Sequence, residues 1–491
     1  MKPTVEQVDI LDASKTESKI IINARAGAGK STTLKMVAVG NPDKNILYVV
    51  FSKKLADEAN DKFPANTDAR TLYSVAYQFT GHDLAHKLNY RDAKYVNRLR
   101  TGREIANALK IPAISSAVSA DALPPHVIGV IVKRTVDRFE QSAKPSIDSS
   151  IVSRRLTEKY AEKYGVSQHV LADKIVGYAQ QLWEKRINPH DVCAAYHGTY
   201  AKVFQLQKRK LLNFDCILVD EFQDVNDCFM DIIDNQDHCQ RILVGDDKQE
   251  IMQFAGANSA LQRVMGYSTY YLTQSFRFGE EIAHASSLVF EEPIKISGVP
   301  DKPSFVDEVD QTKPHTMIFR TNAGLIVTAI DLITDGVSVN IETDTRGFCN
   351  QLRSARALYA GDEKGVKDQF IGMYADWATF RADAVEEPEY NRVAKIVEEG
   401  RDSHIIRMLE QYHDNDDDAL VTLITAHKSK GGQWENVILA EDFPDPYNED
   451  GEFVKPAPAE ENLLYVALTR AEERVQPNSL YYKLIAEHGN V

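Results

Sequence analysis

The sequence lacks the features of several protein classes. Its five cysteines form no Cys-x-x-Cys pair, which argues against a zinc knuckle or a disulfide framework and predicts reduced thiols. No apolar run reaches the roughly 18 to 20 residues that cross a bilayer, and no repeat period is visible. We therefore expect a soluble intracellular protein with no membrane partner, cytoplasmic in bacteria or phage-infected cells and nuclear in a eukaryote.

An excess of positive charge is also lacking. The chain has 57 basic and 72 acidic residues, a net charge of −15, so bulk attraction cannot bring it to a nucleic acid and local patches would have to do so. The stretch from Lys87 to Lys110 is such a patch, rich in arginine and lysine with Tyr90 and Tyr95 interleaved. Taken alone, that stretch is more often a solvated helix face.

The 491 residues are enough for two to four folding units, and 43% hydrophobic with 26% charged residues is an ordinary globular composition. Short apolar runs that end in small or polar residues and precede helix-like stretches predict the strands of buried parallel sheets. Helical spacing dominates between these clusters. The predicted strands are Lys19–Asn23, Ile46–Phe51, Cys216–Val219, Ile242–Val244, Thr316–Phe319, Leu420–Thr425 and Val437–Ala440.

The first predicted strand runs into a loop of small residues and then a helix start. Backbone N–H groups of such a loop can surround phosphate oxygens, a lysine reaches the β- and γ-phosphates, and a serine hydroxyl is offered to Mg²⁺. Ala24 stands where the strict pattern has its first glycine, and a chance glycine-containing turn is the alternative. The candidate nucleotide-binding residues are Ala26, Gly27, Ala28, Gly29, Lys30, Ser31 and Thr32.

A second buried strand, Cys216–Val219, ends in carboxylates. Asp220 is expected to join Ser31 in holding Mg²⁺, and Glu221 to polarise the attacking water. A strand that runs into an acidic turn is the alternative interpretation. Together with the phosphate loop, this pattern predicts a nucleoside triphosphate hydrolase.

Groups that sense the γ-phosphate would distinguish a motor from a simple switch. Gln249 follows the strand Ile242–Val244 within a polar cluster, and Arg277 and Arg470 lie in short distinctive sequences far from the phosphate loop. Each arginine taken singly is more often a surface residue.

In order and separation, these motifs resemble those of superfamily 1 helicases of the UvrD/Rep/PcrA type. One segment is more similar to the F-box DNA helicase branch of this family, namely Thr273-Gln274-Ser275-Phe276-Arg277-Phe278-Gly279. No F-box segment is expected ahead of Met1. The matching segments are Gln7, residues 46–54, Thr71 to Ser74, Asp220 to Asp224, Gly245 to Ala257, Leu272 to Arg277, Ile318 to Ala323, Leu423 to Glu435 and Glu461 to Ala471.

The resemblance implies ATP and Mg²⁺ as cofactors and assigns roles to single residues. Gln7 and Phe276 would contact adenine. Arg277 and Arg470 would contact the γ-phosphate, Gln249 would sense it, and these three with Lys30 and Glu221 form the catalytic set. Single-stranded DNA would be held by Lys53, Thr71, Ser74, Phe254, Thr425, His427, Lys430 and Trp434.

The resemblance also implies an α/β fold of two RecA-like parallel-sheet motor domains, each with an inserted, mainly helical accessory domain. Motor domain 1A would comprise residues 1–76 and 207–268, and accessory domain 1B residues 77–206. Motor domain 2A would comprise 269–333 and 419–491, and accessory domain 2B residues 334–418.

Three functions agree with these motifs. The first is an ATP-dependent DNA helicase of replication, recombination or repair, moving 3′ to 5′. The second is a single-strand translocase that strips bound proteins with little unwinding, and the third is a DNA-binding adaptor that does not hydrolyse its nucleotide. The expected partners are single-stranded DNA, its junctions with duplex, and a loading or single-strand-binding protein, with the chain acting as a monomer.

Overall fold

The chain divides into two units in its computed structural model, which describes residues 2–88, 99, 101–116, 119, 121–251, 264, 266–362, 364–368, 370–374, 376–385, 387–412 and 419–489. The first unit comprises Met1–Ile22, Ser31–Val244 and Met252–Tyr270. The second comprises Asn23–Lys30, Gly245–Ile251 and Tyr271–Val491, so the loop after the first strand belongs to it.

The first sheet has six strands in the order β3-β2-β4-β5-β1-β6. Strands β2 and β4 are buried along their whole length, and the pairs β2/β3, β2/β4 and β4/β5 are parallel. Continuous apolar runs are what such doubly covered strands require. The strands are β1 (Lys19–Ala24), β2 (Ile46–Val49), β3 (Thr67–Arg70), β4 (Cys216–Val219), β5 (Gln240–Gly245) and β6 (Ser268–Leu272).

The outer edge of β3 is closed by a side chain. Asn60 donates through Nδ2 to the Ala69 carbonyl at 3.0 Å and accepts the Ala69 N–H at 2.9 Å. An edge strand otherwise offers these groups to another chain. The amide therefore satisfies both backbone groups of Ala69 and blocks strand addition at that position.

Helices of the first unit surround this sheet and continue into a helical tract with its own apolar core, built from α6, α7, α8 and α9. Buried Lys87 fastens the C-terminal end of α9, since its Nζ donates to the carbonyls of Lys185, Arg186 and Asn188 at 2.6–2.9 Å. The helices are α1 (Val5–Thr16), α2 (Lys30–Gly40), α3 (Lys53–Lys62), α4 (Leu72–Ala76), α5 (Ala85–Leu88), α6 (Gly102–Ala108), α7 (Pro125–Gln141), α8 (Arg154–Tyr164), α9 (Gln168–Ile187), α10 (His197–Leu206) and α11 (Asp227–Asp234).

The second sheet also has six strands, in the order β7-β12-β11-β8-β10-β9, and all its pairs are parallel. Strands β8 and β10 end level, with Thr425 opposite Phe319. All carboxyl ends therefore meet at one edge of the sheet. The strands are β7 (Phe305–Val306), β8 (His315–Phe319), β9 (Val339–Glu342), β10 (Val421–Thr425), β11 (Trp434–Leu439) and β12 (Ala471–Gln476).

Helices of the second unit cover its sheet. Helix α19 is buried over most of its length and lies in the main apolar cluster of the unit, and Pro458 begins it without loss of a helical hydrogen bond. The helices are α12 (Glu280–Ser287), α13 (Asn322–Thr334), α14 (Thr345–Tyr359), α15 (Trp377–Ala384), α16 (Pro388–Glu398), α17 (Asp402–Gln411), α18 (Ala426–Ser429), α19 (Pro458–Leu468) and α20 (Ser479–Glu487).

The predicted fold class is confirmed, because the chain forms two parallel-strand sheets flanked by helices. All five cysteines are free, buried thiols, as expected. Strand β9 lies in the second sheet although the sequence placed its residues in the accessory stretch 334–418. The division into four domains at the stated boundaries stays a prediction. Among the described residues, no helix has the length and apolar character needed to span a membrane.

Candidate nucleotide and DNA sites

A carboxylate and a hydroxyl meet at the end of β4 in the first unit. Ser31 Oγ donates to Asp220 Oδ2 at 2.8 Å, and the buried Tyr48 hydroxyl donates to the same oxygen at 2.6 Å. Burial and the adjacent Asp220 carboxylate raise the pKa of Tyr48, so its hydroxyl stays a donor. Hydroxyl and carboxylate oxygens suit Mg²⁺, so the residues fit the ion that the sequence predicts.

Glu221 follows Asp220 in a left-handed conformation with φ +48°. Residues other than glycine rarely adopt it, and strain of this kind is often found at functional sites. The Glu221 N–H donates to Asp220 Oδ1 at 2.9 Å, and Gln223 Nε2 donates to Glu221 Oε2 at 2.5 Å. The turn therefore fixes the carboxylate predicted to polarise water.

Gln7 is 3% exposed and lies in the first turn of α1. Its Oε1 accepts the Thr4 N–H at 3.0 Å, its N–H donates to Thr4 Oγ1 at 3.2 Å, and its Nε2 donates to Thr33 Oγ1 of α2 at 3.0 Å. The first two bonds form a capping box at the start of α1, and the third holds α1 against the helix that follows the phosphate loop. The side chain keeps one further N–H and one lone pair, the groups that the predicted adenine contact would use.

The phosphate loop turns at Gly27, where φ is +72°. A Cβ atom there would lie 2.5 Å from Ser275 Oγ and 2.8 Å from Arg277 Cβ. The Gly27 carbonyl accepts the Phe276 N–H at 2.8 Å. Both the backbone conformation and the available space therefore demand glycine, and the turn lies against the segment that carries Phe276 and Arg277.

Asp246, fully buried at the end of β5, connects three segments of the second unit. Its carboxylate accepts from Arg25 Nη1 at 3.1 Å, from Gln249 Nε2 at 2.7 Å and from the Tyr465 hydroxyl at 3.2 Å. Tyr465 in turn accepts the Ala26 N–H at 3.1 Å. The phosphate loop, the segment after β5 and α19 thus share one buried network.

Charge and burial oppose each other at Arg25. Burial acts to lower its pKa, but the Asp246 and Asp247 carboxylates outweigh burial and the pKa is raised. Arg25 therefore stays charged and holds the start of the phosphate loop.

The predicted sensor Gln249 is 4% exposed, and its amide is directed at Asp246. The backbone carbonyl of Gln249 accepts a hydrogen bond from Lys430 Nζ at 2.9 Å. Lys430, expected to contact DNA, thus already fixes the backbone of the sensor.

The structure brings Arg277 and Arg470 together at Thr469. Arg277 Nη1 donates to the Thr469 carbonyl at 2.7 Å, and Arg470 Nη2 donates to Thr469 Oγ1 at 3.1 Å. Arg470 is 1% exposed and also donates through Nε to the Val466 carbonyl at 2.9 Å. Two arginines distant in sequence therefore contact the same residue, Thr469, and half-buried Phe276 precedes Arg277 in the chain.

In the first unit, the DNA-binding candidates lie at helix starts beyond the carboxyl ends of β2 and β3. Lys53 is exposed and begins α3. Thr71 caps α4 by accepting the Ser74 N–H at 3.1 Å, and exposed Ser74 donates back to the Thr71 carbonyl at 2.8 Å. Helix N-termini with exposed donors suit phosphate groups.

In the second unit the candidates are more enclosed. Thr425 is 5% exposed at the end of β10. Burial, together with the Arg320 charge, lowers the pKa of His427 to about 4, so its ring is neutral at physiological pH. Trp434 packs against the apolar cluster that contains α19, which agrees with core packing as well as with stacking on a base.

Some predictions fall outside the described residues. Phe254 is one, as are most of the basic residues between Lys87 and Lys110. Lys87 itself is 2% exposed and bonded to backbone carbonyls, so it does not belong to a DNA-facing surface.

Sequence reasoning missed Arg25, Tyr48 and Tyr465. Tyr48 lies inside a predicted strand and Tyr465 inside an apolar helix, where an aromatic residue predicts core packing. Their hydroxyl contacts depend on tertiary structure, and no local signal indicates them. Arg25 alone has a local signal, because it is a large charged residue in a loop of small ones.

Comparison with known proteins matches two parts of this chain to helicase domains. Residues 4–263 match the UvrD/REP helicase N-terminal domain, and residues 420–476 match the UvrD-like helicase C-terminal domain. The first match contains the phosphate loop and Asp220, and the second contains His427, Lys430 and Arg470.

Two curated relatives align with nearly the whole chain. F-box DNA helicase protein 1 of Schizosaccharomyces pombe is 29% identical over 98% of this chain and 58% of its own length. F-box DNA helicase 1 of Gallus gallus is 28% identical over 96% of this chain and 48% of its own length. The chain thus spans about half the length of these relatives. The N-terminal domain match alone covers more than half of the residues of this chain, so the chain belongs to the UvrD/REP helicase family.

Proposed function

We propose that this chain is a DNA-dependent ATPase that moves along single-stranded DNA, 3′ to 5′, and separates duplex DNA in replication, recombination or repair. Family membership supports the class of activity. The arrangement of side chains within each unit supports hydrolysis, and the exposed donors at helix starts support a single-strand path.

Hydrolysis is assigned to groups from both units. In the first, Ser31 and Asp220 would hold Mg²⁺, which supplies positive charge to the phosphate oxygens when bound, and Glu221 would orient and deprotonate the attacking water. In the second, Arg277 and Arg470 would stabilise the charge that develops on the γ-phosphate. Lys30 would hold the β- and γ-phosphates, and Gln249 would sense the latter.

The observation that carries the proposal is the meeting of Arg277 and Arg470 at Thr469. A nucleotide-binding adaptor needs no second arginine, whereas phosphoryl transfer gains about 10³-fold or more from a positioned guanidinium. A hydrolytic motor therefore explains the position of Arg277 and Arg470 better than a non-hydrolysing adaptor does.

The organisation that we propose follows the family. Residues 1–76 with 207–268 and residues 269–333 with 419–491 would form the motor domains 1A and 2A, and 77–206 with 334–418 the accessory domains. DNA contacts are assigned to both motor domains, with Phe254 as an additional stacking residue. We further propose that the chain acts as a monomer, with single-strand/duplex junctions and a loading or single-strand-binding protein as partners.

Steady-state ATP hydrolysis with and without oligo(dT) tests the proposal, with an RNA oligonucleotide in parallel. We expect strong stimulation by DNA and loss of turnover in Lys30→Ala. Binding of ATP and DNA without turnover would instead indicate the adaptor.

Tailed duplexes then distinguish unwinding from stripping. Displacement of a strand from a 3′-tailed but not a 5′-tailed duplex would support a 3′ to 5′ helicase. Removal of a protein filament from single-stranded DNA, with no strand displacement, would support the translocase.

A further inference from the structure

A cavity of about 610 Å³ lies in the second unit beside the last residues of β9. It is formed by the end of that strand, the first half of α14 and the end of α17. No motif and no proposed contact includes it. Its polar lining consists of Thr343, Thr345, Arg346, Asn350, Arg353, Glu410 and Tyr412.

The position of the cavity follows from the order of the strands. Strand β10 lies between β8 and β9, and Ile424 is opposite both Ile318 and Glu342. Thr343 is therefore level with Thr425, at the sheet edge that also presents His427. The Thr343 hydroxyl donates to Asn322 Oδ1 at the start of α13. The cavity thus continues the edge where the proposed DNA residues of this unit lie.

The lining suits a phosphodiester. Arg346 and Arg353 supply two guanidinium groups, Thr345 supplies a hydroxyl, and the α14 N-terminus adds positive potential. Among the described residues, none forms a hydrogen bond or ion pair with exposed Arg346 that would compete with such a ligand. The volume lies within the range of roughly 300–1,000 Å³ typical of ligand pockets, so a nucleotide unit of a strand fits.

Among the described residues, carboxylates near the cavity oppose this charge, and one of them is exposed Glu342 at the end of β9. Asp344 is engaged at the helix start, where its Oδ1 accepts the Gly347 N–H at 2.9 Å. Glu410 pairs with Arg353, but their side chains are 58% and 45% exposed, and exposed ion pairs contribute little to stability. A phosphate could therefore compete for Arg353, and Glu410 should weaken its binding.

We propose that this cavity binds the backbone of the DNA strand beyond the residues that the motifs identify. The strand would cross the carboxyl edge of the second sheet from β8 over β10 to β9, and Arg346 would contact a phosphate. This inference rests on the proposed function and extends its DNA path.

The test is the affinity for fluorescein-labelled oligo(dT), measured by fluorescence anisotropy over a range of salt concentrations. Arg346→Gln should weaken binding roughly three- to tenfold and reduce the slope of log K against log salt by about 0.7, the loss of one phosphate contact. Glu410→Gln should have the opposite effect and tighten binding about twofold.

Arg356→Gln is the matched control. Arg356 lies on the same helix and is 49% exposed, with Asp402 at 3.9 Å, but it does not line the cavity. It should bind as the wild type does. Equal effects of Arg346→Gln and Arg356→Gln, or unchanged affinity in Glu410→Gln, would overturn the proposal.

Two further outcomes distinguish failure of the proposed function from failure of the DNA assignment of the cavity. If the wild-type protein bound no oligo(dT), the proposed function itself would fail. Inorganic phosphate, tested by thermal shift, distinguishes a free anion from a strand: stabilisation of wild type but not of Arg346→Gln, with unchanged DNA affinity, would overturn the DNA assignment in favour of a small-anion site.

Discussion

The two units hold their candidate catalytic groups in different ways. In the first, Ser31 is exposed in the first turn of α2, and half-buried Glu221 comes two residues after β4. In the second, Gln249 and Arg470 are 4% and 1% exposed, and Asp246, which binds the Gln249 amide, is fully buried; all three are bonded to several protein groups. Substitutions of Ser31 and Glu221 should therefore change chemistry alone, whereas those of Gln249 and Arg470 should change chemistry and stability together.

The sharpest test of this difference is Glu221→Gln. Loss of the general base should reduce the ATPase kcat by about 10² to 10⁴. Nucleotide affinity and the melting temperature should be unchanged, because the amide keeps the shape of the side chain. A fluorescent ATP analogue measures affinity, and Glu162→Gln, an exposed change on α8, controls for charge. A normal rate would remove Glu221 as the base.

Arg470→Lys tests the expectation that a substitution in the second unit lowers both activity and stability. It should lower kcat by about 10³ and also lower stability by about 1–3 kcal/mol, since a lysine cannot reach the acceptors at Val466, Thr469 and Gly432 together. Urea unfolding and ATPase rates measure the two effects.

Arg474→Lys, at a partly exposed pair with Asp307, should change stability little and is the control. A fully stable but inactive Arg470→Lys protein would contradict the distinction between the units.

The strands that the sequence predicted are those with apolar runs, such as Cys216–Val219. The missed strands include Thr67–Arg70, Val339–Glu342 and Ala471–Gln476, whose polar residues hide the pattern. The outer strands β3 and β9 each pair on one side only, so they need less apolar sequence.

The candidate site was predictable where one short segment carries the chemistry, as at Lys30 and at Asp220 with Glu221. It was not predictable where distant segments meet. Nothing local to Tyr465 indicates the Ala26 N–H, and nothing local to Arg277 indicates Thr469. Such contacts arise from packing, which a sequence pattern does not encode residue by residue.

The pH dependence of the free energy of unfolding tests whether His427 is enclosed in the second unit. The pKa of His427 is about 4 in the folded protein against 6.5 for an ordinary histidine. Between these values the unfolded chain binds more protons, so the free energy of unfolding should fall as pH falls from 6.5 to 4, by up to about 3 kcal/mol. Urea unfolding of wild type and His427→Asn should show a flatter pH dependence in the variant. Parallel curves would mean that His427 titrates normally.

The smallest expected effect concerns Tyr48→Phe in the first unit. The change removes the 2.6 Å hydrogen bond to Asp220 but keeps the ring, which stacks on Phe63 at 4.5 Å. Asp220 keeps its bonds to Ser31 and to the Glu221 N–H, so stability should fall by only about 1 kcal/mol. We expect kcat to fall a few-fold and half-saturating Mg²⁺ to rise, because Asp220 loses one of the groups that orient it. Tyr267→Phe is the control, since it loses a 3.2 Å hydrogen bond to Asp234, and it should leave the Mg²⁺ dependence unchanged. If both variants shifted the Mg²⁺ dependence alike, Tyr48 would be a structural residue and not a positioning residue.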